Sequence, residues 1–132
     1  KFFGIIDCSV NFNAYHLVIV NFADILILVV DHNDSGQLNT WSDEKLRENS
    51  DFLFQLRKYI RRHDLRPLQI HILLNKMDLW EVGETEKQEL LEWFNKEVSY
   101  WSEGNFSALV SKGTHSNLRS QDCIKVVNTL KL

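Results

Sequence analysis

Two short apolar runs constrain this chain most: ILILVV at residues 25–30 and LQIHILL at 68–74. The first holds no polar residue, and the second is interrupted only by Gln69 and His71, short of the sustained alternation of a strand with one wet face. A nearly continuous Ile/Val/Leu run is the mark of a strand covered on both faces, the usual situation in a parallel sheet. Parallel neighbours need a crossover of a dozen residues or more, usually a helix. The long polar stretch between the two runs supplies one.

Two further runs, residues 2–6 and 106–110, read as strands on the same grounds. Between the runs lie segments of helical periodicity. Residues 43–63 place Leu46, Leu53, Leu56 and Ile60 on one face, widened by Phe52 and Tyr59, with Ser42 as a cap and Asp43 and Glu44 suited to the first turn. Residues 84–101 repeat the stripe with Leu90, Leu91, Phe94, Val98 and Trp101, and a last segment from about Ser120 offers Ile124, Val127 and Leu130. Residues 13–22 suit either state. Pro67, the single proline, stands where a strand begins and a missing N–H is tolerated. The order predicts an α/β fold, three-layered, with a mostly parallel sheet flanked by helices, in a single domain over residues 1–132.

Composition agrees with a globular domain: 44% hydrophobic and 25% charged residues, with a net charge of −3 that demands neither nucleic acid nor an anionic membrane. The longest apolar run is too short to span a bilayer, and the first residues lack a signal-peptide core. Cys8 and Cys123 read as reduced thiols, and the five histidines show no metal-ligand spacing. The expectation is a cytoplasmic protein without transmembrane segment or nucleic-acid partner.

In parallel α/β sheets, ligands bind at the carboxyl ends of strands. The run ending at Leu74 stops abruptly in Asn75-Lys76-Met77-Asp78. One reading is a turn in which Asn75 and Asp78 cap the next helix. The other is a base site, since a carboxylate accepts from both donors on a guanine edge and disfavours adenine. Asn75-Lys76-Met77-Asp78 resembles the Asn-Lys-x-Asp guanine motif of Ras-like small GTPases. Ser107-Ala108-Leu109 resembles that family's Ser-Ala motif, and Asp7 lies where its Asp-x-x-Gly motif begins.

The resemblance extends over essentially the whole chain and implies a P-loop GTPase-like domain, incomplete at its amino end. It implies that GTP or GDP is held by Asn75, Lys76 and Asp78, with Ser107, Ala108 and Leu109 completing the pocket. Asp78 would grip the base, Asn75 brace the loop, the Lys76 stem pack on the base face, and the Ala108 N–H donate to O6. It also implies Mg2+ reached by Asp7 through water; a plain strand-end cap is the alternative for Asp7.

Nothing in these residues reads G-x-x-x-x-G-K-[ST], the loop whose N–H groups, lysine and hydroxyl hold phosphates and magnesium. Val10 stands where the family has glycine, and Asn11 where many relatives carry glutamine. No catalytic residue is assigned. In the family the strand before that loop separates the strands corresponding to residues 2–6 and 25–30. Either the missing strand comes from upstream or from another chain, or those two strands pair directly in a four-stranded sheet, with residues 7–13 as a degenerate loop.

Three functional expectations follow: a GTPase whose phosphate loop lies outside these residues, a pseudo-GTPase scaffold that binds a protein partner, or a receiver-like domain fitting the motif by accident. Arg57, Lys58, Arg61, Arg62, His63 and Arg66 either complement a helix end or form a partner patch. Trp41 either anchors a partner or folds onto the core, Trp80 is placed to wall the base pocket, Trp93 sits off its helix's stripe, and Trp101 belongs to the core.

Overall fold

The computed structural model describes residues 3–7, 13–32, 42–80, 84–103, 109–116 and 119–129. Four strands, β1 (Phe3–Asp7), β2 (Ile25–Val30), β3 (Gln69–Leu74) and β4 (Leu109–Thr114), form one sheet in the order β1-β2-β3-β4. Every neighbouring pair is parallel. The helices are α1 (Ala14–Phe22), α2 (Asp43–Arg62), the single turn α3 (Met77–Trp80), α4 (Glu84–Ser102) and α5 (Ser120–Thr129).

Period-two alternation divides β2 and β3 between the sheet's faces. Leu26, Leu28 and Val30 of β2, with Ile70, Ile72 and Leu74 of β3, belong to one buried cluster. That cluster also contains Val20 of α1, Leu53, Leu56 and Ile60 of α2, and Leu90, Phe94 and Val98 of α4. Three helices therefore share one face of the sheet. Ile25, Ile27, His71 and Leu73 point the other way and are buried as well, which accounts for the unbroken apolar reading of both strands. Each buried Ile, Leu or Val side chain among them stabilises the fold by about 2 kcal/mol.

Local chemistry fixes the helix ends. Asn13 caps α1, accepting from the Tyr15 N–H while its own N–H donates to Nδ1 of His16. The His16 ring meets Phe52 edge-on, 5.2 Å between centroids, docking α1 on α2. Ser42 caps α2 through the Lys45 N–H. At the other end Asp64 has φ 48°, Leu65 N–H donates to Ile60 O, and Asp64 N–H donates to Arg61 O. This is a Schellman closure with an aspartate in the left-handed position.

Direct pairing of β1 with β2, Phe3 opposite Ile25 through Asp7 opposite Val29, is the arrangement found of the three weighed above. Two expectations fail. The last strand is not 106–110 but Leu109–Thr114, an edge strand in the described sheet whose exposed Lys112 and Thr114 hide its period. Ile124 and Val127 of α5 face outward, while Asp122 is buried and Val126 half-buried. The inward stripe runs through positions 122 and 126, offset from the apolar one. Residues 13–22 resolve to helix, and Trp101 is in the core. Trp41, Cys8 and the Cys123 side chain lie outside the described residues. No helix among the described residues is long and apolar enough to cross a membrane.

Candidate functional site

The carboxyl ends of β2, β3 and β4 meet in one place. Asn75, directly after β3, donates its N–H to Val30 O at 2.9 Å, and its carbonyl accepts from Trp80 Nε1 at 2.8 Å. Trp80 is buried, so its indole locks the turn from beneath. The next residue, Lys76, adopts φ 58°. For a residue with a Cβ this left-handed geometry costs about 1 kcal/mol and tends to mark functional turns. Its consequence is a sharp reversal from β3 into α3, with Asp78 half-buried in the first turn.

The end of β4 supports that turn from the other side. His115 N–H donates to Leu74 O at 3.0 Å, and Met77 N–H donates to His115 O at 3.1 Å. Thr114 Oγ1 contacts the Met77 sulfur. His115 and Ser116 are both buried. The segment flanking Asn75-Lys76-Met77-Asp78 is thus the β4–α5 turn.

Leu109, placed in the base pocket by the sequence reading, stands at the opposite edge of the sheet. It opens β4, pairs with Gln69 at the start of β3, and is half-exposed. Six residues of strand separate the two edges, roughly 17–20 Å, so Leu109 cannot line a site at Asn75. Ser107 and Ala108 lie outside the described residues. The error came from taking residues 106–110 as the strand. The better signal was distance to the last helix: a strand ending at Val110 leaves nine residues before Ser120, one ending at Thr114 leaves five, nearer an ordinary connection.

From β2, Asp31 enters the site. Its carboxylate oxygen Oδ2 lies 3.1 Å from Lys76 Nζ, with both side chains largely shielded. Its backbone carbonyl accepts from Asn49 Nδ2 of α2 at 2.6 Å. In the sequence, Asp31 is the charged residue that closes the buried 25–30 run, and that was the available signal. Asp7 closes β1, but its side chain lies outside the described residues.

Buried polar atoms test whether these residues suit a purine edge. Asn75 Oδ1 and Asp31 Oδ1 are buried and, among the described residues, have no hydrogen-bond partner. Unsatisfied buried acceptors cost stability unless a donor arrives, and a guanine edge or a ribose brings donors. Those two oxygens are acceptors of the kind that such donors would pair with. Among the described residues no three His, Cys, Asp or Glu side chains form a metal-ligand group. No protein-family model, curated protein or solved structure matches the chain.

Proposed function

We propose that the chain is a guanine-nucleotide-binding, P-loop GTPase-like domain whose base site is Asn75, Lys76 and Asp78, flanked by the β4–α5 turn at His115 and Ser116. The observation that carries this reading is the tight turn at the carboxyl end of β3. It presents the Asn-Lys-x-Asp residues at the mouth of a parallel sheet, with the Asn75 amide oxygen buried and unsatisfied among the described residues. In this reading Asp78 accepts from guanine N1 and N2, and an adenine edge leaves it unpaired. GTP or GDP would supply the base; phosphates and Mg2+ call for backbone donors and a Lys–Ser/Thr pair that the sequence does not place in a recognisable loop. Hydrolysis is therefore no part of the proposal.

Val10, where the family has the glycine that reaches the γ-phosphate, favours a second reading. In it the fold is a pseudo-GTPase scaffold whose partner is another protein.

Thermal melting with and without GDP and Mg2+ tests the first reading. A ligand at a hundred times its Kd stabilises the folded state by about 2.7 kcal/mol. Absence of any shift at millimolar GDP leaves the scaffold reading. With binding present, Asp78→Asn shifts preference from guanine towards xanthine, since an amide offers a donor where the carboxylate had an acceptor. Unchanged GDP affinity in that variant removes Asp78 from the site.

A further inference from the structure

The end of β2 is tied into the candidate site more tightly than a plain strand terminus requires. Three bonds converge on its last two peptides and the side chain that follows. Asn75 N–H takes Val30 O, Asn49 Nδ2 takes Asp31 O, and Lys76 Nζ takes Asp31 Oδ2. Asn49 is buried, and Asn75 and Lys76 are the first two residues after β3. One residue, Asp31, thus touches α2 with its backbone and the β3–α3 turn with its carboxylate.

We infer that Asp31 is a positioning residue for base recognition: its carboxylate anchors the Lys76 ammonium so that the lysine's methylene stem lies across the paired ends of β2 and β3 as an apolar rail for a planar purine ring. This rests on the nucleotide reading given above and adds to it a residue from a different strand. Lys76 follows the end of β3, and its ammonium reaches Asp31 directly after β2, so the four methylenes lie across the two paired strand ends. A free lysine would lose rotamer entropy on lying down against a ligand. Anchoring removes most of that loss before the ligand arrives, which raises affinity without a new contact. The left-handed backbone at Lys76 aims the side chain towards β2 and is kept despite its strain. Asp31 Oδ1 is buried and without partner among the described residues.

A double-mutant cycle separates this role from a general structural one. GDP with Mg2+ is titrated calorimetrically into the parent, Asp31→Asn, Lys76→Met and the double variant; methionine keeps an apolar stem but cannot be anchored. Asp31→Asn is expected to weaken GDP about tenfold in the parent and less than about twofold in the Lys76→Met background. Independently of ligand, the 15N ammonium resonance of Lys76, visible when exchange with water is slowed, is expected in the parent and lost in Asp31→Asn. Should Asp31→Asn fail to fold, Asp31→Glu serves: it retains the ammonium resonance and binds GDP within about threefold of the parent. Equal losses in both backgrounds, or no loss in either, overturn the role of Asp31 while leaving the nucleotide reading intact. A parent that shows no heat of binding with GDP removes both.

Discussion

The guanidinium of Arg57 in α2 donates to the backbone carbonyl of Tyr100 near the end of α4 at 2.5 Å, and Arg61, one turn on, donates to Glu103 O at 2.7 Å. No basic residue lies in the last turn of α4 itself. The unsatisfied carbonyls and negative pole of one helix are therefore completed by two cations from its neighbour. Arg57 also lies 5.2 Å from the centre of the Tyr100 ring, and burial holds its pKa below the ordinary arginine value. The basic stretch that the sequence left open between helix-end complement and partner patch has at least three of its members engaged within the molecule, Arg57 and Arg61 at the end of α4 and Arg66 on Asp64.

Arg57→Ala is accordingly expected to lower unfolding stability by about 1–2 kcal/mol in urea titrations, because it strips a charge-assisted bond from a half-buried carbonyl. Arg61→Ala acts at an exposed site and is expected to cost about 0.5 kcal/mol. Equal effects of the two would show that burial does not set the difference.

His71 supplies a pH dependence. Its ring is buried on the face of the sheet away from α2 and α4, with Nε2 against Gln69 Oε1 at 3.1 Å and Nδ1 against Ser111 Oγ. The pairing assigns a neutral imidazole that donates through Nε2 and accepts the serine proton at Nδ1. Desolvation by burial lowers its pKa below the ordinary histidine value. An unfolded chain therefore takes up this proton at a pH where the folded one does not. The contribution of His71 is fully present above about pH 7, declines as pH falls through the mid-sixes, and levels off below its folded pKa. Urea midpoints measured from pH 8 to pH 5.5 are expected to fall less in His71→Gln than in the parent. The same slope in both would assign the pH dependence to other groups.

How far the fold was legible depended on what each segment buries. β2 and β3 announced themselves because both faces are covered, and α2 because one stripe, from Phe52 to Ile60, meets the sheet. β4 was misplaced by register: only Val110 joins the core cluster's margin, while Ser111 serves the polar pairing with His71. α5 misled for a related reason, since its buried residue is Asp122 and its apolar pair Ile124 and Val127 is exposed. In the candidate site, Asn75, Lys76 and Asp78 were readable as a local string. Asp31, Asn49, His115 and Ser116 come from three other segments, and only tertiary geometry brings them to that string. Trp80 was expected to wall a pocket; it underpins the turn by binding the Asn75 carbonyl.

Backbone strain at Lys76 can be measured apart from any ligand. Lys76→Gly removes the ion pair with Asp31 but relieves the left-handed geometry at φ 58°. Lys76→Ala removes the pair and keeps the strain. The glycine variant is expected to be more stable than the alanine variant by about 1 kcal/mol, by urea titration in the absence of nucleotide. Trp80→Phe, which deletes the N–H that holds Asn75 O, is expected to cost about 1–2 kcal/mol in the same assay. An alanine variant equal to glycine would mean that the turn relaxes to another conformation once the lysine is gone.

The register of β4 decides which serine matters. With Leu74 opposite Thr114, the turn carrying Ser116 stands beside the Asn75–Asp78 segment, and Leu109 marks the far edge. Ser116 is buried, and the preceding carbonyl of His115 holds the Met77 N–H. A bulkier apolar residue at 116 would displace that carbonyl and with it the start of α3. Ser116→Val is therefore expected to reduce the GDP-induced rise in melting temperature, each variant being compared with its own nucleotide-free form. The parallel change Ser107→Val, two residues before Leu109 in sequence, is expected to leave the rise unchanged. If Ser107→Val abolishes the rise and Ser116→Val spares it, β4 is shifted in register, and residues 106–110 form the strand after all.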